Sequence, residues 1–253
     1  MLIFRWIGDE VSQTATLPGQ LGVHTSISRR RAWSSTITLK LVMAISGLMF
    51  IAFVLGHVYG NLKAFSGHDA YNEYAEHLRT LGEPIFPRSG LLWIMRVGLI
   101  GALVAHVSSA IVLARRARRA GGRYAARPPR RASSLASRTM LTGGLVIFLF
   151  LGWHLANFTI GKVNVRGGPT NDPFNLVVDT FSVWWSTALY LAAMLVLGMH
   201  LWHGTWSSLQ TLGWTLTAER RQAAKAAAMA VAVLVAGGFS LSPIAIQLGL
   251  IGP

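Results

Sequence analysis

The stretch Leu195–Gly213, LVLGMHLWHGTWSSLQTLG, places His200 and His203 one helical turn apart near the end of a run otherwise suited only to lipid. The apolar run begins near residue 183 and carries no acidic or basic residue other than these histidines. It therefore meets the requirement of about 20 apolar residues for crossing a bilayer core of about 30 Å. The same test selects four more stretches, at about 38–60, 90–114, 139–161 and 224–248, alongside 183–206. All nine acidic residues lie outside the five. With 52% hydrophobic and only 13% charged residues, the composition agrees. The expected fold is an all-α membrane protein of five transmembrane helices, with a cytoplasmic N-terminal segment over 1–37 and a membrane domain over 38–253.

Charge sets the expected orientation. Between the second and third spans lies RRARRAGGRYAARPPRRASSLASR, with nine Arg and no acid, whereas 61–89 and 162–182 together hold five Lys or Arg. The positive-inside rule puts the N-terminus and this connection in the cytoplasm and the C-terminus outside. The net charge of +14 is thereby explained without a nucleic-acid partner. The opening MLIFRWIGDEVSQTATLPGQLG has no long apolar core or small-residue cleavage site and reads as retained. Neither side offers enough chain for a folded soluble domain. There is no cysteine, so the chain brings no thiolate ligand, and metal chemistry of its own must rest on histidine.

Five of the eight histidines fall within the spans: His57, His106, His154, His200 and His203. Ionisable groups at membrane depth are costly and mark function more often than packing. Their depths sort them, because successive spans run in opposite directions. His57 and His154 lie toward the outer face, His106 and His200 toward the inner face, and the two levels differ by roughly 15 Å at 1.5 Å per residue. Two histidines at each of two depths on four helices suit a bundle that holds two flat cofactors one above the other. Haem iron accepts imidazole from both sides of its plane, so the reading is a four-helix haem-binding bundle plus a fifth peripheral helix. Gly56, Gly152 and Gly198, close to three of these histidines, serve either as room for a macrocycle or as close helix contacts.

These motifs, GHVYGN around His57, VAHVSSAIVL around His106, GWHLANF around His154 and HLWHGTWSSLQTLG from His200, resemble in order those of the single-chain, five-helix, dihaem cytochrome b anchor of succinate dehydrogenase and fumarate reductase. The resemblance spans most of 38–213. It implies two haem b groups, the outer one on His57 and His154 and the inner one on His106 and His200. His203 is then left to a haem propionate or a quinone oxygen, or is the ligand in place of His200. It also implies a flavoprotein and an iron–sulfur subunit on the cytoplasmic face, a bacterial cytoplasmic membrane, menaquinone as the quinone, and leaves open a trimer of heterotrimers. An iron–sulfur cluster bound by His200 and His203 and completed by a partner is an alternative to one haem.

A quinone needs an apolar slot with a few polar groups and a proton route. Near the outer level the candidates are Arg96 and the loop GHDAYNEYAEHLRTLGEP, with Asp69, Glu73, Glu76, His77 and Glu83. Arg96 pairs with a propionate or snorkels to the interface. Near the inner level the candidates are Ser34, Ser35, Lys40 and Trp206. Tyr71, Tyr74 and Trp93 read as interface aromatics. Arg29, Arg30, Arg31, Trp33 and the Arg-rich connection serve subunit docking or membrane lipid. The competing functional reading is a His-based proton-translocating membrane protein without haem. It is disfavoured by the lack of carboxylates, broken helices and an inverted repeat in the spans. A bare anchor with packing histidines is the third.

Overall fold

The computed structural model describes residues 35–123, 131–160, 163–168 and 170–252, the side chains of 121–123, 131–139 and 160 aside. The chain divides into units 1–35 and 36–253, and the described fold is that of the second. The expected site residue Ser34, the cluster Arg29–Arg31 and Trp33, and 124–130 of the Arg-rich connection lie outside the described residues. The elements are α1 (Thr36–Leu62), a 3-10 turn (Lys63–Ser66), α2 (His68–Thr80), α3 (Gly90–Arg123), α4 (Arg131–Leu155) ending in a π-helical turn (Ala156–Ile160), α5 (Pro173–Ser182), α6 (Trp184–Thr211) and α7 (Ala218–Gln247). Five of them, α1, α3, α4, α6 and α7, are long and apolar enough to span a membrane. The protein is a multi-pass, all-α membrane protein.

Several helices outrun their apolar cores. α6 continues to Thr211 rather than 206, and α7 starts at Ala218 rather than 224. The first turns of α7, AERRQAAK, consist of strong helix formers. Thr217 caps them, its hydroxyl accepting from the Arg220 N–H at 3.2 Å, and Glu219 sits at the positive end of the helix dipole. α3 likewise carries Arg115, Arg116, Arg118 and Arg119 beyond its apolar part.

α1, α6 and α7 form a spine. Ile51, Leu201, Ala232 and Val235 are its buried centre, with Leu48, Val54, Val58, Leu197, Val231 and Phe239 around them. Lipid tails are as apolar as these side chains, so close backbone approach through small residues must supply much of the attraction. Ala228 and Val235 have no exposed surface. A Cβ added at Gly198 would stand 3.1 Å from that of Ala236, and one at Gly238 would stand 2.5 Å from Val58 Cγ1. The fifth span, which carries no histidine, packs along α6 and α1 beside the histidine-bearing helices' bundle. α3 packs on α1 and α4 on α6, and these two flanks make no extended contact with each other among the described residues.

Two short helices cover the end remote from the Arg-rich connection. Asp172 and Pro173 start α5 at its N-cap and first position, the order that helix ends favour. Phe174, Val177, Val178 and Phe181 bury against Ala64, Tyr190, Ala245 and Ile246. α2 docks by Tyr74, whose ring fills the space a side chain at Gly60 would take, and by Tyr71, which turns onto Phe174 with centroids 5.9 Å apart. Burial and the nearby Tyr74 push the Tyr71 phenol up to about 12, so this tyrosine is a packing residue more than an interface aromatic.

A polar clasp joins the two short helices. His68 Nε2 meets Asp172 at 2.7 Å and its Nδ1 meets Asp69 at 2.8 Å. Asn72 donates to Asp172 at 3.0 Å and accepts from the Phe174 N–H at 3.1 Å. The hydrogen bonds to Asp69 and Asp172 raise the His68 pKa. Burial works to raise Asp172, but hydrogen bonds from the Asn175 N–H, Asn72 and His68 outweigh it and hold the carboxyl below its usual range. The His68 contribution is complete below its unfolded value of about 6.5 and lost as pH rises through the raised one. The Asp172 contribution is complete above about 3.9 and lost as pH falls through the lowered one. Hydrogen exchange at the Phe174 and Asn175 amides, corrected for intrinsic rate, should therefore be slowest near pH 5 and quicken on the alkaline side. His68→Gln should remove that alkaline limb.

Candidate functional site

Each intramembrane histidine except His203 faces one other across the bundle. His57 of α1 and His154 of α4 have ring centroids 5.9 Å apart with planes at 83°. His106 of α3 and His200 of α6 are 6.4 Å apart with planes at 60°. The histidines expected to pair are therefore the ones the fold brings together.

The two levels are separated as helix geometry requires. On α1, a Cβ at Gly47 would meet the His106 ring at 3.4 Å, and His57 lies ten positions further along. On α4, a Cβ at Gly144 would meet the His200 ring at 3.5 Å, and His154 again lies ten positions further along. Ten residues of helix rise about 15 Å. Both helices thus read the same spacing between levels.

The levels are held differently. His106 Nδ1 lies 3.2 Å from the Met43 carbonyl and 3.2 Å from the Ser46 hydroxyl. Donation of the Nδ1 proton to that carbonyl leaves Nε2 with a free lone pair, the arrangement usual behind a metal-ligating imidazole. His200 Nδ1 is buried without a hydrogen-bond partner. A buried polar atom of this kind costs stability unless something satisfies it. The outer pair is walled by aromatic rings: Phe53 stacks on His57 at 5.4 Å and Phe239 of α7 reaches it at 5.4 Å. Phe158, Phe150 and Tyr190 surround His154 at 5.4, 6.1 and 6.1 Å.

These residues fit a metal held between two imidazoles. Nitrogen–metal bonds of about 2 Å on opposite sides of one ion would set the ring centroids about 6 Å apart, as both pairs have them. Among the described residues no three of His, Cys, Asp and Glu converge on one point, so two imidazoles are the protein's whole donor set at each level. A ligand that brings its own equatorial nitrogens, as a porphyrin does, would complete such a set. Gly56 and Gly152, beside the outer pair, have open space where a side chain would stand. Gly198 does not, because Ala236 fills it, so that glycine serves helix packing.

His203 is a member of neither facing pair. Its Nδ1 lies 3.1 Å from the Met199 carbonyl one turn back, and its ring lies against Trp202 at 5.2 Å. Trp206, a turn further, lies under the Lys225 ammonium at 5.6 Å. Arg96 is exposed and stacks its guanidinium on Trp93 at 5.0 Å, leaning toward the end of the helix as a snorkelling side chain does. Lys40 is exposed near the start of α1, and Glu83 is exposed in the connection between α2 and α3. Glu76 is engaged by Arg88 at 2.6 Å and Arg79 at 3.2 Å. No side-chain hydrogen bond or ion pair joins Arg96, Lys40 or Glu83 to either histidine pair among the described residues.

A buried polar knot beside His154 was not legible in the sequence. Asn157, fully buried, donates to the Val163 carbonyl at 2.6 Å and to Thr180 Oγ1 at 3.3 Å, and accepts from the Tyr190 hydroxyl at 2.9 Å. An amide at the end of an apolar span reads as an ordinary polar terminus. Its only earlier signal is its place three residues after His154.

No family model, curated protein or solved structure matches this chain. The fold and site themselves define a class: a multi-pass helical membrane protein with two facing histidine pairs at two heights.

Proposed function

We propose that the chain is the membrane anchor and electron-transfer subunit of a succinate:quinone oxidoreductase, a succinate dehydrogenase or fumarate reductase, in the bacterial cytoplasmic membrane. The observation that carries this reading is the pair of imidazole pairs, 5.9 and 6.4 Å across, stacked about 15 Å apart in an apolar bundle. His57 and His154 would hold one haem b, and His106 and His200 the other. Bound haem supplies one-electron chemistry.

The chain's own residues supply the setting. The Met43 carbonyl holds the His106 Nδ1 proton and so keeps Nε2 basic. Phe53, Phe150, Phe158 and Phe239 keep water from the outer pair. The end carrying Arg115, Arg116, Arg118, Arg119, Arg220 and Arg221 is the cytoplasmic one, where the iron–sulfur subunit and, beyond it, the flavoprotein dock. Electrons then pass between that subunit and a membrane quinone, which we take to be menaquinone. His203 and Trp206 at the inner end and Arg96 at the outer end are the polar groups best placed to meet it.

The test is the dithionite-reduced minus oxidised visible spectrum of the purified complex, with haem quantified per chain by pyridine extraction. Two b-type haems per chain are expected. A colourless, metal-free preparation would overturn the proposal and favour a histidine-based proton pathway.

A further inference from the structure

We propose that Asn157 and Tyr190 are positioning residues that set the orientation of the His154 imidazole relative to that of His57. The inference rests on the haem reading above, which it extends to residues outside the ligand set. It begins from a contrast between the two levels. At the inner level the His106 ring is fixed by contacts of its own Nδ1 with the Met43 carbonyl and the Ser46 hydroxyl. At the outer level the His154 ring is fixed by the walls around it, and one wall, Tyr190, is itself pinned by a side chain three residues from His154.

The local backbone shows how. After Leu155 the third span widens into a π-helical turn over Ala156–Ile160. Such turns are uncommon and concentrate at functional sites. Asn157 lies in this turn, and its three hydrogen bonds reach a connecting segment and two helices. Val163 follows the turn, Thr180 is on α5 and Tyr190 is on α6. The Val163 N–H also donates to the Ala156 carbonyl at 3.3 Å, closing the segment on itself.

The chemistry specifies the residue. A primary amide has two protons to give and an oxygen to receive, and here one proton goes to a carbonyl, one to a hydroxyl oxygen, and the oxygen takes the phenol proton. A carboxylate lacks the donors and an aliphatic side chain lacks everything. In a site without bulk water the knot has no substitute partners, so it is rigid when complete.

The pinned phenol carries the constraint to the imidazole. The Tyr190 ring makes edge contacts with Phe150 at 4.9 Å, Phe181 at 5.0 Å and Phe158 at 6.1 Å, and meets His154 at 6.1 Å. Phe150 and Phe158 also lie against the His154 ring, at 6.1 and 5.4 Å. The resulting angle between the two imidazole planes is 83°, against 60° at the inner level. The angle between axial imidazoles governs the anisotropy of a low-spin ferric haem, so it can be read spectroscopically one centre at a time.

The experiment compares the intact complex carrying Tyr190→Phe, Asn157→Ala or no substitution, by electron paramagnetic resonance of the oxidised haems and by redox titration. Tyr190→Phe keeps the ring and its packing and removes only the pinning hydroxyl, so it tests the idea even if Asn157→Ala does not fold. The expected result is two haems per chain, a changed low-field resonance and midpoint potential for the outer centre, and an unchanged inner centre. An unchanged outer centre, or equal changes at both, would overturn the proposal. Should the wild-type protein hold no haem, the functional reading fails separately. The orientation is then read from ¹⁵N-histidine magnetic resonance in lipid nanodiscs, where Tyr190→Phe must move the His154 ring signals and leave those of His106 and His200 in place. Unmoved His154 signals overturn it there.

Discussion

His57→Ala and His154→Ala are each expected to reduce the haem content from two per chain to one, and to leave the same haem behind. His106→Ala and His200→Ala should do likewise and leave the other. The reason is geometric: each variant removes one of only two protein donors at its level, and the partner imidazole alone cannot hold the iron against loss to solvent. Removing both members of one pair should cost no more haem than removing one, since the second loss falls on a centre already empty. Removing one member from each pair should give a colourless protein. The fold should survive, because replacing a buried polar imidazole by an apolar methyl relieves the membrane of a group that is expensive to keep there. His203→Ala should retain both haems, since its ring rests on Trp202 and the facing pairs are made by the other four histidines. Four reduced-minus-oxidised spectra and a haem assay decide the matter. Retention of both haems in all four ligand variants would defeat the pairing.

The second large effect is steric and falls on two adjacent residues with opposite outcomes. Gly238→Ala places a methyl 2.5 Å from Val58 Cγ1, far inside van der Waals contact. Val58 is β-branched and stiff in a helix, so its methyl cannot swing aside. Relief requires α7 to move off α1, and the expected cost is about 1–3 kcal/mol, typical of overpacking. The displacement should be felt at the outer level, because Phe239 rests on His57, the neighbour of Val58. Gly237→Ala adds its methyl into open space and is expected to be neutral or to stabilise by up to about 1 kcal/mol through helix propensity. Thermal unfolding of the two variants in the same detergent is the measurement. Equal behaviour of the two would show that the α1 and α7 contact is looser than described.

The number and placement of the spanning helices were legible in hydropathy alone, because a bilayer tolerates few other ways to bury backbone. The facing of His57 with His154 and of His106 with His200 followed from helix direction, which turns position in the chain into depth. What escaped was decided by contacts between distant segments. The helix 68–80 has no fully buried residue of its own and depends on its docking through the partly buried Tyr71 and through Tyr74. The Asp172–Pro173 start of α5 was readable as a helix signal but lay in a loop where none was sought. Gly198 and Gly152 look alike in sequence, each two residues before a histidine, yet one meets Ala236 and the other meets open space. The ends of α6 and α7 were set short because apolarity stops where the bilayer does, while helix propensity and the Thr217 cap carry the helix on. For the quinone candidates the sequence offered polar residues at the right depths. The fold leaves Arg96, Lys40 and Glu83 exposed and hydrogen-bonds none of them to the histidine pairs.

The packing of the flanks has a mechanical consequence. α3 leans on α1, but its histidine reaches across to α6; α4 leans on α6, but its histidine reaches across to α1. The two pairs are therefore crossed diagonals at two heights, like the braces of a timber frame. Helix contact resists one direction of shear, and a bridge at each diagonal would resist the other.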